Sequence, residues 1–172
     1  MPSLSDKRFL LFYIFLFILP SCMFFGSSKV TYTKPAKPYK IDAPSGNWKK
    51  LNLEDIDAAF WNEQYRAGIA FAVDCSEDKS GNIHTISNRL FIGIKNRKII
   101  ESREITLSER NAATSTTKGI LNNKSITIKA YSIIDDSCIY DFAYWTFKDS
   151  LEEEGIKDFE AFVKSLKFSP LP

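Results

Sequence analysis

Apolar positions fall along this chain in three regimes. Residues 9–19 are apolar without a break, residues 26–47 are almost free of periodicity, and from Trp48 onward apolar side chains recur first at every second position and then at every third or fourth. The first alternating stretch predicts two strands, 58–62 and 68–75, joined by residues 63–67 as a hairpin. In the second, Ile69, Phe71 and Val73 alternate with Ala70, Ala72 and Asp74, a period of two that buries one face. Ile83, Ile86, Leu90, Phe91 and Ile94 then stand at helical spacing, with Ser80 or Asn82 placed to cap the helix. After the basic stretch 95–98, strands are predicted over 99–107, 112–120, 125–134 and 138–147. Asn122 and Asn123 suit a tight turn, as do residues 135–137. Ile126, Ile128, Ala130, Ser132 and Ile134 share one face of their strand, opposite Ser125, Thr127, Lys129 and Tyr131. In the last strand Tyr140, Phe142 and Tyr144 oppose Ile139, Asp141, Ala143 and Trp145, so both faces are apolar and the strand is expected to be central or covered on both sides. Ile156, Phe159, Phe162, Val163 and Leu166 predict a closing amphipathic helix stopped by Ser169 and Pro170. The expected class is therefore α+β, an antiparallel sheet flanked by helices in the order β-β-α-β-β-β-β-α.

The unbroken apolar run has a different meaning. Asp6, Lys7 and Arg8 precede it, and Pro20 and Ser21 follow, the charged, greasy and small-residue order of a secretory signal. Eleven residues rise about 16 Å as a helix, roughly half a hydrocarbon core about 30 Å thick. Leu19, Pro20, Ser21 and Cys22 resemble the lipobox of bacterial lipoproteins. That resemblance implies a diacylglyceryl group on the Cys22 thiol, cleavage before it, and anchoring to a membrane; two or three chains hold a protein there almost permanently. An ordinary signal peptide, or a signal anchor extended through Met23, Phe24 and Phe25, stays open on the residues alone. Were the enteric sorting rule to apply, Met23 would favour the periplasmic face of the outer membrane over the inner membrane. Residues 1–21 are thus read as a signal peptide, 22–47 as a lipidated Lys/Pro-rich linker, 48–168 as one globular domain and 169–172 as a tail.

Charge narrows the partners. The chain carries 23 Lys and Arg against 21 Asp and Glu, and without residues 1–21 the balance is 21 against 20, leaving no global field for nucleic acid. Three cysteines become two once Cys22 is acylated. In an exported chain Cys75 and Cys138 then suggest a disulfide, with two separate buried thiols as the alternative.

The strand carrying Cys138, Ile139, Tyr140, Asp141 and Phe142, leading through a short polar connector to Asp158, Phe159, Phe162, Ser165, Leu166 and Phe168, resembles the closing strand and helix of PsbP-like bacterial lipoproteins. The resemblance extends over 48–168 and implies the PsbP and Mog1 fold, an α/β/α sandwich whose members are mostly adaptors. No metal ligand of that family matches a position here, and no cofactor is expected.

Catalytic candidates reduce to His84, the one histidine, with Ser80, Ser87 or Cys75, and a zinc site would require Cys75, Cys138 and His84 together. Asp141 among aromatics would have a raised pKa if buried, or would simply bond a neighbouring loop. Tyr131, Tyr140, Tyr144 and Trp145 are read as core before interface. The expected function is non-enzymatic: a membrane-anchored envelope lipoprotein that serves as an adaptor for another envelope protein. The alternative is a carrier of an apolar or lipid ligand in a pocket between helix and sheet.

Overall fold

A computed structural model describes residues 39–75, 82–135, 138–148 and 151–168. Cys22 and the expected signal peptide lie outside them. In chain order the elements are β1 (Tyr39–Lys40), β2 (Lys49–Leu51), β3 (Ala58–Asn62), β4 (Ala67–Asp74), α1 (Ile83–Asn88) with a 3-10 turn over Arg89–Phe91, β5 (Lys95–Leu107), β6 (Arg110–Leu121), β7 (Lys124–Ile134), β8 (Ile139–Thr146), α2 (Glu153–Lys164) and β9 (Lys167–Phe168). Seven strands form one sheet in the order β2-β3-β4-β8-β7-β6-β5, and β1 pairs with β9 apart from it. Every pairing is antiparallel.

β8 lies between β4 and β7, which accounts for its two apolar faces. Tyr140, Phe142 and Tyr144 are fully buried on one of them. They meet the apolar stripe of α2: Phe142 lies 5.6 Å from Phe162 and Tyr144 5.8 Å from Phe159, centroid to centroid. Aromatic pairs of this kind contribute about 0.5–1.5 kcal/mol each beyond their buried area. On the other face Ala143 and Trp145 pack with Phe91, Ile126, Ile128 and Ala130, beneath the segment that α1 begins. Cys75 and Cys138 are bonded to each other, 63 residues apart. They extend the β4–β8 pairing one step past Asp74 opposite Ile139, and closing such a loop stabilises the fold by about 4 kcal/mol.

Local chemistry sets the boundaries. Asn82 accepts the Thr85 N–H as the cap of α1. The helix is shorter than its periodicity predicts, because the chain tightens into a 3-10 turn and Gly93 then takes a left-handed φ of +86°. Asn122 and Asn123 both have positive φ, as a two-residue hairpin turn requires. Asp135 and Cys138 exchange both backbone hydrogen bonds around 136–137, which are not described. α2 ends at Lys164, where the Ser165 N–H returns to Ala161 O and Phe162 O. The helix thus stops short of the expected end at Ser169 and Pro170, because Lys167 and Phe168 leave it to pair with β1; Ser169 and Pro170 themselves lie outside the described residues.

Two expectations are corrected. Residues 39–47, assigned above to the linker, belong to the domain. Tyr39 is buried, pairs with Phe168, and meets Phe71 and Tyr140 edge-on at 5.3 and 5.7 Å. Ser45 and Trp48 both donate to Asp158 on α2. The basic stretch 95–98, placed above ahead of the strand expected over 99–107, is the start of β5. With β1, β2 and β9 added, the described order is β-β-β-β-α-β-β-β-β-α-β.

Gly68 stands opposite Trp145, and its missing side chain is what lets the indole lie flat across β4. A Cβ there would overlap the ring. Gly68→Ala is expected to cost about 2 kcal/mol, measured by equilibrium urea unfolding; an unchanged midpoint would contradict this packing.

Candidate functional site

The residues singled out by sequence are not brought together. His84 is half-exposed on α1, its Nε2 3.2 Å from Glu104 Oε1. Ser87 Oγ is turned back to donate to Ile83 O at 2.8 Å, and Ser80 lies outside the described residues. Because Cys75 and Cys138 are bonded to each other, neither offers a thiolate to His84 or to a metal. Tyr131, Tyr140 and Tyr144 are buried in the core. Burial, reinforced by Glu152, pushes the Tyr144 hydroxyl up to about 12.

Asp141 is held by a network. Its Oδ1 accepts from Ser132 Oγ at 2.7 Å, and its Oδ2 from Arg89 Nε at 3.0 Å and Nη2 at 2.6 Å, while Arg89 Nη1 reaches Asp74 Oδ2 at 3.0 Å. Burial drives the Asp141 carboxyl above the ordinary aspartate range, and the bonds from Ser132 and Arg89 oppose that rise. One guanidinium thus fastens the end of the first helical segment to β4 and β8. Arg89 carried no signal in the sequence, since 52 positions separate it from Asp141 and no short spacing links them.

Beyond that clamp the helical segment bridges a hollow of about 190 Å³ over β5 and β6. Ser87, Asn88 and Phe91 line it from above, and Ser102, Ser115 and Thr117 from below. A second, open depression of about 540 Å³ is bordered by Trp48, Lys49, Asn62, Glu63 and Gln64. Neither is walled mainly by apolar side chains, as a lipid carrier needs: Phe91, Ile99 and Ala113 are the apolar residues lining the first, and Trp48 that of the second. The space between α2 and the sheet, one place where the alternative carrier reading could have its pocket, is filled by Phe60, Phe71, Phe142, Phe159 and Phe162.

Among the described residues β5 is one edge of the seven-stranded sheet, and the three-residue β2 is the other. Among the described residues five large apolar side chains are exposed, and Ile92, Ile99 and Ile100 are three of them, at 81%, 62% and 51%. No described helix is long and apolar enough to cross a membrane.

No protein-family model and no curated protein matches the sequence. Solved structures do match in fold. LpqN of Mycobacterium tuberculosis, described as involved in cell envelope biogenesis, superposes with a TM-score of 0.59 at 12% identity, over 81% of this chain and 88% of that one. The cyanobacterial PsbP of Synechocystis sp. PCC 6803 gives 0.55 at 14% identity over 87% and 98%. A protein of unknown function from Pseudomonas aeruginosa gives 0.51 at 11% identity over 76% and 86%. The fold is PsbP-like.

The Arg89 clamp makes a pH-dependent prediction. Arg89→Met leaves the Asp141 carboxylate buried without its partner and is expected to cost about 3 kcal/mol at neutral pH. A carboxyl whose folded pKa lies above its unfolded one takes up a proton on folding. Its penalty is absent below the unfolded value and grows as pH rises through the folded one. The deficit of Arg89→Met should therefore shrink in mild acid, and Asp141→Asn added to it should recover at least about 1 kcal/mol at neutrality. Urea unfolding across the pH range measures both; a deficit independent of pH would show that Asp141 is not the group left unpaired.

Proposed function

We propose that the protein is a non-enzymatic, lipid-anchored accessory factor of the cell envelope. It is tethered through acylated Cys22 at the periplasmic face of the outer membrane and docks another envelope protein along β5. The observation that carries the docking is three exposed isoleucines, Ile99 and Ile100 on the edge strand β5 and Ile92 just before it. An exposed edge offers a row of backbone donors and acceptors to an incoming strand, and apolar side chains next to it reward the contact. Support for the setting comes from the fold shared with LpqN and from the lipobox-like ending at Cys22. The two apolar clusters on opposite faces of β8 favour the α/β/α layering of that fold.

A photoreactive residue placed at Ile100 in cells should give a discrete protein adduct that the same residue at Lys157, exposed on α2, does not give. Cys22→Ser should release the protein from the membrane fraction and abolish the adduct. Equal labelling from both positions would contradict docking at β5. Unchanged fractionation of Cys22→Ser would contradict the lipid anchor.

A further inference from the structure

Two hydroxyls beneath the first helical segment have no hydrogen-bond partner among the described residues. Ser115 and Thr117 project from one face of β6, two residues apart, with 8% and 2% of their surface exposed, and neither side-chain oxygen is bonded. Leaving a buried hydroxyl unmatched costs about 1–3 kcal/mol, so two of them side by side call for a partner beyond the described residues; the Tyr140 and Tyr144 hydroxyls also lack one, but they lie in the packed core and not beside a hollow. Both face the hollow of about 190 Å³. At about 30 Å³ per water, that is room for about six waters, or for one molecule with the bulk of a six-membered sugar ring.

The lining chemistry narrows the occupant. Ser102 adds a third hydroxyl, and Ser87, whose hydrogen is given to Ile83 O, keeps its lone pairs to accept from a ligand. Phe91 and Ile99 supply an apolar wall. Among the described residues no lysine, arginine, aspartate or glutamate lines the space; the ionisable group there is His84, which lies beside Glu104. An ion would find no fixed countercharge within the lining, and an apolar ligand would leave Ser115 and Thr117 unmatched. A neutral ring with several hydroxyls and a C–H face satisfies both the donors and the wall. We propose that the hollow between α1 and β6 is a binding site for a neutral polyhydroxylated ring of monosaccharide size. The site does not depend on the membrane anchor, and it shares only Ile99 with the docking edge.

The test uses the full-length protein, isotope-labelled and held in a sugar-free detergent, titrated separately with glucose, galactose, mannose and myo-inositol while backbone amide resonances are followed. At least one should give saturable shifts confined to residues 113–117 and 87–91, while glucose 6-phosphate and cyclohexanol give weaker ones. Ser115→Ala with Thr117→Val should weaken that binding at least about tenfold, the loss of two hydrogen bonds. Removing unmatched hydroxyls should leave unfolding midpoints unchanged or raised, so lost binding is distinguishable from lost structure. The proposal is overturned if none of the four rings produces a saturable shift, which would assign the hollow to water, or if the double variant responds as the parent does.

Discussion

Strand β8 must bury both of its faces at once, and the rest of the molecule follows from how each face is covered. Its residues alternate between bulky rings, Tyr140, Phe142 and Tyr144, and the sequence Asp141, Ala143, Trp145. A sheet with such a strand at its centre needs a layer on either side. α2 supplies the first with Phe159, Phe162 and Val163, and the short segment from Ile83 to Phe91 supplies the second. The disulfide fixes β8 to β4 at the point where their pairing ends.

The two layers are not equivalent. Beneath α2 the rings interlock, with Phe71 and Phe142 4.6 Å apart and Phe60 and Phe162 5.8 Å apart, and the space is closed. Beneath α1 the cover is a six-residue helix secured by one arginine on two carboxylates, with a hydroxyl-lined hollow beside it and an open strand edge beyond. Ligands and partners are expected where packing is incomplete and polar groups lack mates. Unmatched hydroxyls occur on both faces, Ser115 and Thr117 under α1 and Tyr140 and Tyr144 under α2, but the hydroxyl-lined hollow lies on the α1 side alone among the two described depressions.

Much of the fold was legible because β8, β7 and α2 carry long, regular patterns. The two-faced apolar strand, the Asn122–Asn123 turn and the closing helix each follow from periodicity or from residues that tolerate positive φ. The cysteine pair was legible from the even count left once Cys22 is set aside, in a chain expected to be exported. β1 and β9 escaped notice because two residues cannot establish a period, so Tyr39 reads as linker among prolines and lysines. The Ser108–Glu109 turn, both residues at positive φ, uses neither asparagine nor glycine and left no signal. The candidate site was hidden for a different reason. Ser115 and Thr117 read as an indifferent, half-polar strand, and only the arrival of α1 from 27 or more positions earlier makes their hydroxyls buried and unmatched.

The likeness to LpqN and to cyanobacterial PsbP extends along most of each chain at identities of 12% and 14%, so what is shared is the fold. Native-state hydrogen exchange is the most direct measure of the asymmetry between the two layers. Amides of β7 and β8 should exchange only through global unfolding, and those of the 83–91 segment through a smaller local opening that leaves α2 protected. Exchange of 83–91 as slow as that of β8, or loss of protection in α2 at the same low free energy, would contradict a fold with one sealed face and one open one.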